Sequence, residues 1–209
     1  MLGEVFYKET NTMPHNPYVV KSIVTSELAA KICAANGVKM HNVLTGFKFI
    51  GEVIKNYEKS GDGSFLFGFE ESYGYLKGTY ARDKDAVVTA MLICEMTAFY
   101  KKRGMTLSDA LSALFEKYGF CYETNVEIYM EGLDGPARMA AMMDALRKNP
   151  PTKFGNVPVT LVGDYLLGTF TENGKVTCTE ASCFSAFGWY PPNMKSAYPE
   201  DVFCTAMQG

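Results

Sequence analysis

"YVVKSIVTSELAAKICAANG", residues 18–37, joins two kinds of periodicity in twenty residues. Its first part, Tyr18 to Thr25, is β-branched and apolar, as a strand requires; the remainder carries apolar residues at helical spacing, with Ser26 as the expected cap and Gly37 as the stop. A strand that runs straight into a helix is half of a β–α–β unit. The same alternation recurs downstream. "VKMHNV" (38–43) reads as a short strand, "TGFKFIGEVIKNYEKSG" (45–61) as a helix ending at glycine, and "SFLFGF" (64–69) as an apolar run short enough for a buried strand. Strands alternating with helices predict a three-layer α/β/α fold, with an open, mostly parallel (mixed) sheet covered on both faces.

Further helices are predicted over 83–104, with Lys101, Lys102 and Arg103 in the last turn, and over 106–119, with Thr106 and Asp109 spaced as a capping box. "CYETNVEIYM" (121–130) alternates like a strand. "GPARMAAMMDALRKNPP" (135–151) reads as a helix closed by prolines, with Met139, Met142 and Met143 as core filling. The stretch "PPTKFGNVP" (150–158) has the composition of a linker, and strands are expected around the Asn173-Gly174 turn. The expected organisation is a linker over 1–17, an α/β domain over 18–151 and a short C-terminal segment over 152–209.

Bulk composition narrows the function. The 209 residues are 47% hydrophobic with a net charge of −3, from 20 basic and 23 acidic side chains, so no basic field awaits a nucleic acid. "AVVTAMLIC" (86–94) is about half a bilayer span and the first residues lack a signal pattern, so no membrane is expected and the compartment is expected to be cytoplasmic. The six cysteines include no C-x-x-C pair, and His15 and His41 are the only histidines, which argues against a metal site or a disulfide scaffold. Cys33 and Cys94 are expected to be buried packing residues. Neither a glycine-rich dinucleotide fingerprint nor a P-loop occurs, and neither histidine has the surroundings of a nucleophile's base.

The stretch "GFEESYGY" (68–75) reads either as a ligand-orienting loop or as a solvated acidic turn preceding a helix. Adjacent carboxylates in extended backbone point to opposite sides, so Glu70 and Glu71 could not flank one bond as an acid/base pair. Glu70 and Ser72, two apart, would project together, giving an acceptor and a hydroxyl suited to neighbouring sugar hydroxyls. Lys21 lies near the end of the first strand, Thr45 and Gly46 at a helix start, and Arg82 and Lys84 before another helix. Such junctions share the carboxyl edge of an open sheet, and a cationic rim with one carboxylate suits a phosphorylated sugar.

Taken together, "MPHNPYVVKSIVTSELA", "VLTGFKFIGEVI" and "FLFGFEESYGYLKGTYARDKDAVVTAMLICEM" resemble the α-D-phosphohexomutases, in the bacterial phosphoglucomutase/phosphomannomutase branch, over about residues 13 to 170. The resemblance corresponds to the third of four domains and the beginning of the fourth. It implies that Glu70 and Ser72 bond hexose hydroxyls, with Glu71 as a supporting neighbour. It also implies that Thr45 and Gly46 belong to a second substrate loop, and that Lys84 and Lys21 approach the phosphosugar. Family enzymes interconvert hexose 1-phosphate and hexose 6-phosphate through a phosphoserine and a hexose 1,6-bisphosphate, with Mg2+.

The family's T-A-S-H-N-P phosphoserine loop, D-x-D-x-D-R metal loop and R-P-S-G-T-E-P phosphate loop do not occur in this sequence. The resemblance therefore implies a hexose phosphate and the missing domains of the same enzyme as partners. It also implies that this chain supplies no catalytic phosphoserine, binds no metal or bisphosphate cofactor and has no turnover alone. A non-catalytic sugar-phosphate-binding or scaffold module is the alternative. From Cys178 onward no periodicity aligns with the family, which truncation, a frame shift or divergence would each explain.

Overall fold

A computed structural model describes Tyr7 and residues 9–123, 128–179 and 203–207. It comprises two compact units, Met1–Glu123 and Thr124–Gly209.

In the first unit, β1 (Pro17–Ser22), β2 (Lys39–Val43), β3 (Ser64–Phe69) and β4 (Tyr75–Leu76) form one sheet in the order β2-β1-β3-β4. β1 is parallel to both of its neighbours, and β4 returns antiparallel to β3. The mixed sheet expected from the sequence is therefore present. Central position explains why β1 is almost wholly buried, since a parallel strand covered on both faces must be apolar nearly throughout.

The alternation of side chains along β1 assigns the two faces. Val19 packs with Cys33 and Val38, and with Met40, Leu66, Phe67 and Phe69 around them. That side carries helix α1 (Leu28–Ala35). Tyr18, one residue earlier, points the other way and stacks on Tyr57 with ring centroids 4.0 Å apart. Tyr57 lies on α2 (Phe47–Ser60), whose Ile50 also packs over Gly68 of β3. Helices thus cover both faces of the sheet. Helix α3 (Ala86–Lys101) packs on β4, and α4 (Leu107–Tyr118) packs against both α1 and α3.

Local signals account for most boundaries. The capping box forms as the spacing requires, with Thr106 Oγ1 accepting from the Asp109 amide at 3.1 Å and Asp109 accepting from the Thr106 amide at 2.8 Å. Gly61 ends α2 at φ 68°, a conformation only glycine adopts freely. α1 starts one residue later than Ser26 would place it as cap, with Glu27 in the cap position, yet Ser26 Oγ still accepts the Leu28 amide at 3.2 Å.

Two expectations are corrected. Cys33 is buried and its thiol pushed up to about 11 by that burial, but Cys94 is exposed. The reason is that α3 is apolar on both sides. Val88, Leu92, Met96 and Tyr100 occupy its less exposed face, whereas Cys94 shares the outer one with Val87 (73% exposed) and Met91 (66% exposed). The linker-like residues 150–158 form a hairpin instead: β5 (Lys153–Phe154) pairs antiparallel with the start of β6 (Val157–Asp164) across Gly155-Asn156. A positive φ at Gly155 turns the chain, so the glycine that looked like a linker residue is a turn residue.

The rest of the second unit is helix α5 (Gly135–Lys148), in which the three methionines are half-buried, and an antiparallel set of strands. β6 pairs with β7 (Thr169–Glu172) and with β9 (Phe203–Met207), and β7 with β8 (Lys175–Thr179) across Asn173-Gly174, both at positive φ. Arg147 of α5 donates to Asp164 at 2.9 Å, a largely buried pair that anchors the helix to β6. The expected strand over 121–130 falls partly outside the described residues; Cys121–Glu123 and Ile128–Met130 are not in a strand.

The sheet's α2 face holds a titratable group with no exposure, His41, whose Nε2 is 2.9 Å from Tyr57 Oη. Burial, with Lys39 adding repulsion, lowers its pKa to about 3. A folded pKa below the unfolded value means that the unfolded chain takes up the proton first, so this stability is complete above about pH 6.5 and declines below it. Between pH 6.5 and pH 5 the loss should approach about 2 kcal/mol. Denaturant titrations of the wild type and His41→Leu at both pH values check it: the wild type should show the steeper acid decline, and equal slopes would refute the assignment.

Candidate functional site

All four loops that leave the carboxyl end of the sheet, or follow directly from it, meet on one rim. β3 ends at Phe69, and the chain then turns through Glu71 and Ser72, closed by the Glu70 amide donating to Gly74 O at 2.9 Å. Tyr73 sits in this turn at φ 63° and is 87% exposed. Because the turn begins at once, strand alternation does not govern residues 70–72. The two carboxylates still diverge, and each is engaged by a different neighbouring loop.

Glu70 is 5% exposed, and its Oε1 accepts the Gly46 amide at 2.6 Å. Gly46 precedes α2 with φ 124° and ψ 121°, backbone values that a side chain would oppose, and this conformation aims its N–H at the carboxylate. Glu71 turns to the β1–α1 loop, where its Oε2 lies 2.6 Å from Ser22 Oγ and 3.1 Å from Thr25 Oγ1. Adjacent acids therefore tie the β3–β4 loop to the two loops beside it.

Lys84 completes the rim from the β4–α3 loop. Its stem crosses Gly74 so closely that a Cβ there would lie 2.5 Å from Lys84 Cδ, and 3.4 Å from Glu70 Oε2. Gly74 thus leaves the room in which Lys84 and Glu70 both approach this turn. The Lys84 ammonium is 2.6 Å from Asp83 Oδ1 and 5.1 Å from the centre of the Phe47 ring. That hydrogen bond holds the Asp83 carboxyl below the ordinary carboxylate range. Asp85 fixes the loop's exit by accepting the Val87 and Val88 amides at 2.8 and 3.0 Å, with the Tyr80 hydroxyl donating to it. Tyr80 in turn lowers the Asp85 pKa.

The residues singled out from sequence separate into distinct environments. Glu70 and Lys84 come together at Gly74, Gly46 joins them through its bond to Glu70, and Ser72 stands exposed in the same turn with no hydrogen bond among the described residues. Thr45 is half-buried beside Gly46. Lys21 is fully buried beneath the rim: its Nζ donates to Thr25 O at 2.8 Å and to Glu27 Oε1 at 2.9 Å, the compensation a buried ammonium needs. Arg82 extends to Glu58 on α2 and to the Thr79 carbonyl.

Sequence reasoning gave no role to Ser22 and Thr25, although two hydroxyls bracketing a strand end are the natural complement of a nearby carboxylate. Among the described residues, no three His, Cys, Asp or Glu side chains gather as a metal would need, and no helix is long and apolar enough to cross a membrane. On the rim itself, Glu70 and Glu71 each have one carboxylate oxygen engaged by the protein's own donors.

The family model described as "Phosphoglucomutase/phosphomannomutase, alpha/beta/alpha domain III" matches residues 1–118. Phosphoglucomutase of Staphylococcus haemolyticus (strain JCSC1435) is 36% identical over 172 residues, which are 82% of this chain and 31% of that protein. Phosphoglucomutase of Staphylococcus aureus (strain N315) is 36% identical over 173 residues, 83% of this chain and 31% of that one. The chain thus spans about a third of the length of these relatives. A solved structure of a Thermus thermophilus protein assigned to the phosphomannomutases is 22% identical at a TM-score of 0.44, covering 56% of this chain and 24% of that one.

Proposed function

Since the chain belongs to the phosphoglucomutase/phosphomannomutase domain III family, we propose that its rim grips the hexose of a hexose phosphate and that the phosphoryl chemistry is supplied by other domains. In this reading the Ser72 hydroxyl and the second oxygen of Glu70 meet sugar hydroxyls. Lys84 offers its ammonium to the phosphate, and Thr45 adds a hydroxyl from the β2–α2 loop. The single observation that carries the reading is the approach of Glu70 and Lys84 to each other at Gly74, with Glu70 also bonded to the Gly46 amide, in the turn that exposes Ser72. An acceptor and a hydroxyl on one turn, with a cation reaching it from the next loop, match a polyhydroxylated anion.

The interconversion of hexose 1-phosphate and hexose 6-phosphate would belong to the longer protein, in which a hexose 1,6-bisphosphate presents each phosphate in turn. A grip on hydroxyls shared by both orientations suits that exchange, because positioning supplies a large part of such catalysis. Lys21 supports this rim from below by holding the Thr25 carbonyl.

Titration of the chain with glucose 1-phosphate should shift the NMR signals of Glu70, Ser72 and Lys84. Adding glucose 1,6-bisphosphate and magnesium should yield no glucose 6-phosphate. Silence at those three residues would refute the grip, and robust turnover would refute the division of labour.

A further inference from the structure

We propose that Glu71 is a positioning residue: it pins the β1–α1 loop to the β3–β4 loop and so sets the shape of the rim without touching the ligand. The inference rests on the sugar-gripping role of that rim. Its basis is a triangle of oxygens. Ser22 Oγ, Thr25 Oγ1 and Glu71 Oε2 lie 2.6 Å (Ser22–Thr25), 2.6 Å (Ser22–Glu71) and 3.1 Å (Thr25–Glu71) apart. Each hydroxyl has one proton, so the triangle holds two hydrogen bonds at a time, at least one of them to the carboxylate. A charged acceptor makes these stronger than neutral pairs.

The same loop is held from two other directions. Lys21 Nζ takes the Thr25 carbonyl and Glu27 from beneath, and Glu123 accepts Ser26 Oγ at 2.8 Å and the Glu27 amide at 3.0 Å. Of these three ties, only Glu71 comes from the ligand-gripping turn. Its neighbour Glu70 performs the matching task on the β2–α2 loop through Gly46. The pair therefore sets the spacing of three loops, and a displaced β1–α1 loop would carry residues 71 and 72 with it.

Ser22 provides a decisive control because it is fully buried and out of a ligand's reach. Glucose 1-phosphate affinity and amide exchange are to be measured for Glu71→Ala, Glu71→Gln, Ser22→Ala and the Glu71→Ala/Ser22→Ala pair, with thermal melts to confirm folding. Glu71→Ala should weaken binding about tenfold, and Glu71→Gln, which keeps an acceptor oxygen, by less than about threefold. Exchange of the amides of residues 23–27 should quicken about tenfold in Glu71→Ala. The double variant should bind about as poorly as Glu71→Ala alone, because both changes break one connection. Multiplying losses, a glutamine as damaging as alanine, or unchanged exchange at 23–27 would each overturn the proposal. Should the wild type not bind glucose 1-phosphate, the sugar-gripping role fails, and exchange at 23–27 alone decides whether Glu71 holds the loop.

Discussion

Ile50→Ala is expected to destabilise the first unit by about 2–5 kcal/mol, the usual range for truncating a fully buried aliphatic residue. Ile50 has no exposed surface and lies where α2 crosses Gly68 of β3. Gly68 has no side chain because there is no room for one. A methyl there would stand 2.8 Å from Ile50 Cγ2 and 3.1 Å from Phe65 Cζ, so Gly68→Ala alone should cost about 1–3 kcal/mol by overpacking. Together the two changes should partly cancel, because the alanine methyl at 68 enters the space that Ile50 Cγ2 leaves. Urea unfolding of the singles and the double checks this. A double variant less stable than the sum of the two single losses would refute the packing account.

Glu70→Ala should have the second largest effect, and on two observables. It removes the acceptor of the Gly46 amide and leaves that N–H in a partly buried site without its partner, a cost of about 1–3 kcal/mol. Glu70→Gln keeps an oxygen that can accept the same N–H, so it should recover much of the stability. Affinity should behave differently. If Glu70 also accepts a sugar hydroxyl, Gln should restore stability more completely than it restores glucose 1-phosphate binding, because the amide is a weaker acceptor than the carboxylate. Parallel recovery of both would mean that Glu70 serves only the Gly46 loop. Unfolding curves and ligand titrations of the three proteins separate the two roles.

Several features of the fold were legible because their causes are local. The first strand, expected over 18–25 and found at Pro17–Ser22, the glycine that ends α2, the capping box of Thr106 and Asp109, and the Asn173-Gly174 hairpin each follow from a few neighbouring residues. Cys94 was not legible, because "AVVTAMLICEMTAFYK" is apolar around its whole circumference and periodicity cannot show which side meets the protein. The Gly155 turn was missed for a related reason: glycine and proline mark a break in the chain equally well for a linker and for a tight hairpin.

By itself the sequence determined the alternation of strands and helices and the mixed α/β class, since each is written in spacings of two to four residues. Only the tertiary structure decided what the acids of "GFEESYGY" hold. Strand order places β1 between β2 and β3, so that Glu71 meets Ser22 and Thr25, 49 and 46 residues away in the chain, and Glu70 meets Gly46, 24 residues away. Hydrogen bonds at such separations depend on which strands become neighbours, and that choice is made by burying both faces of the sheet at once.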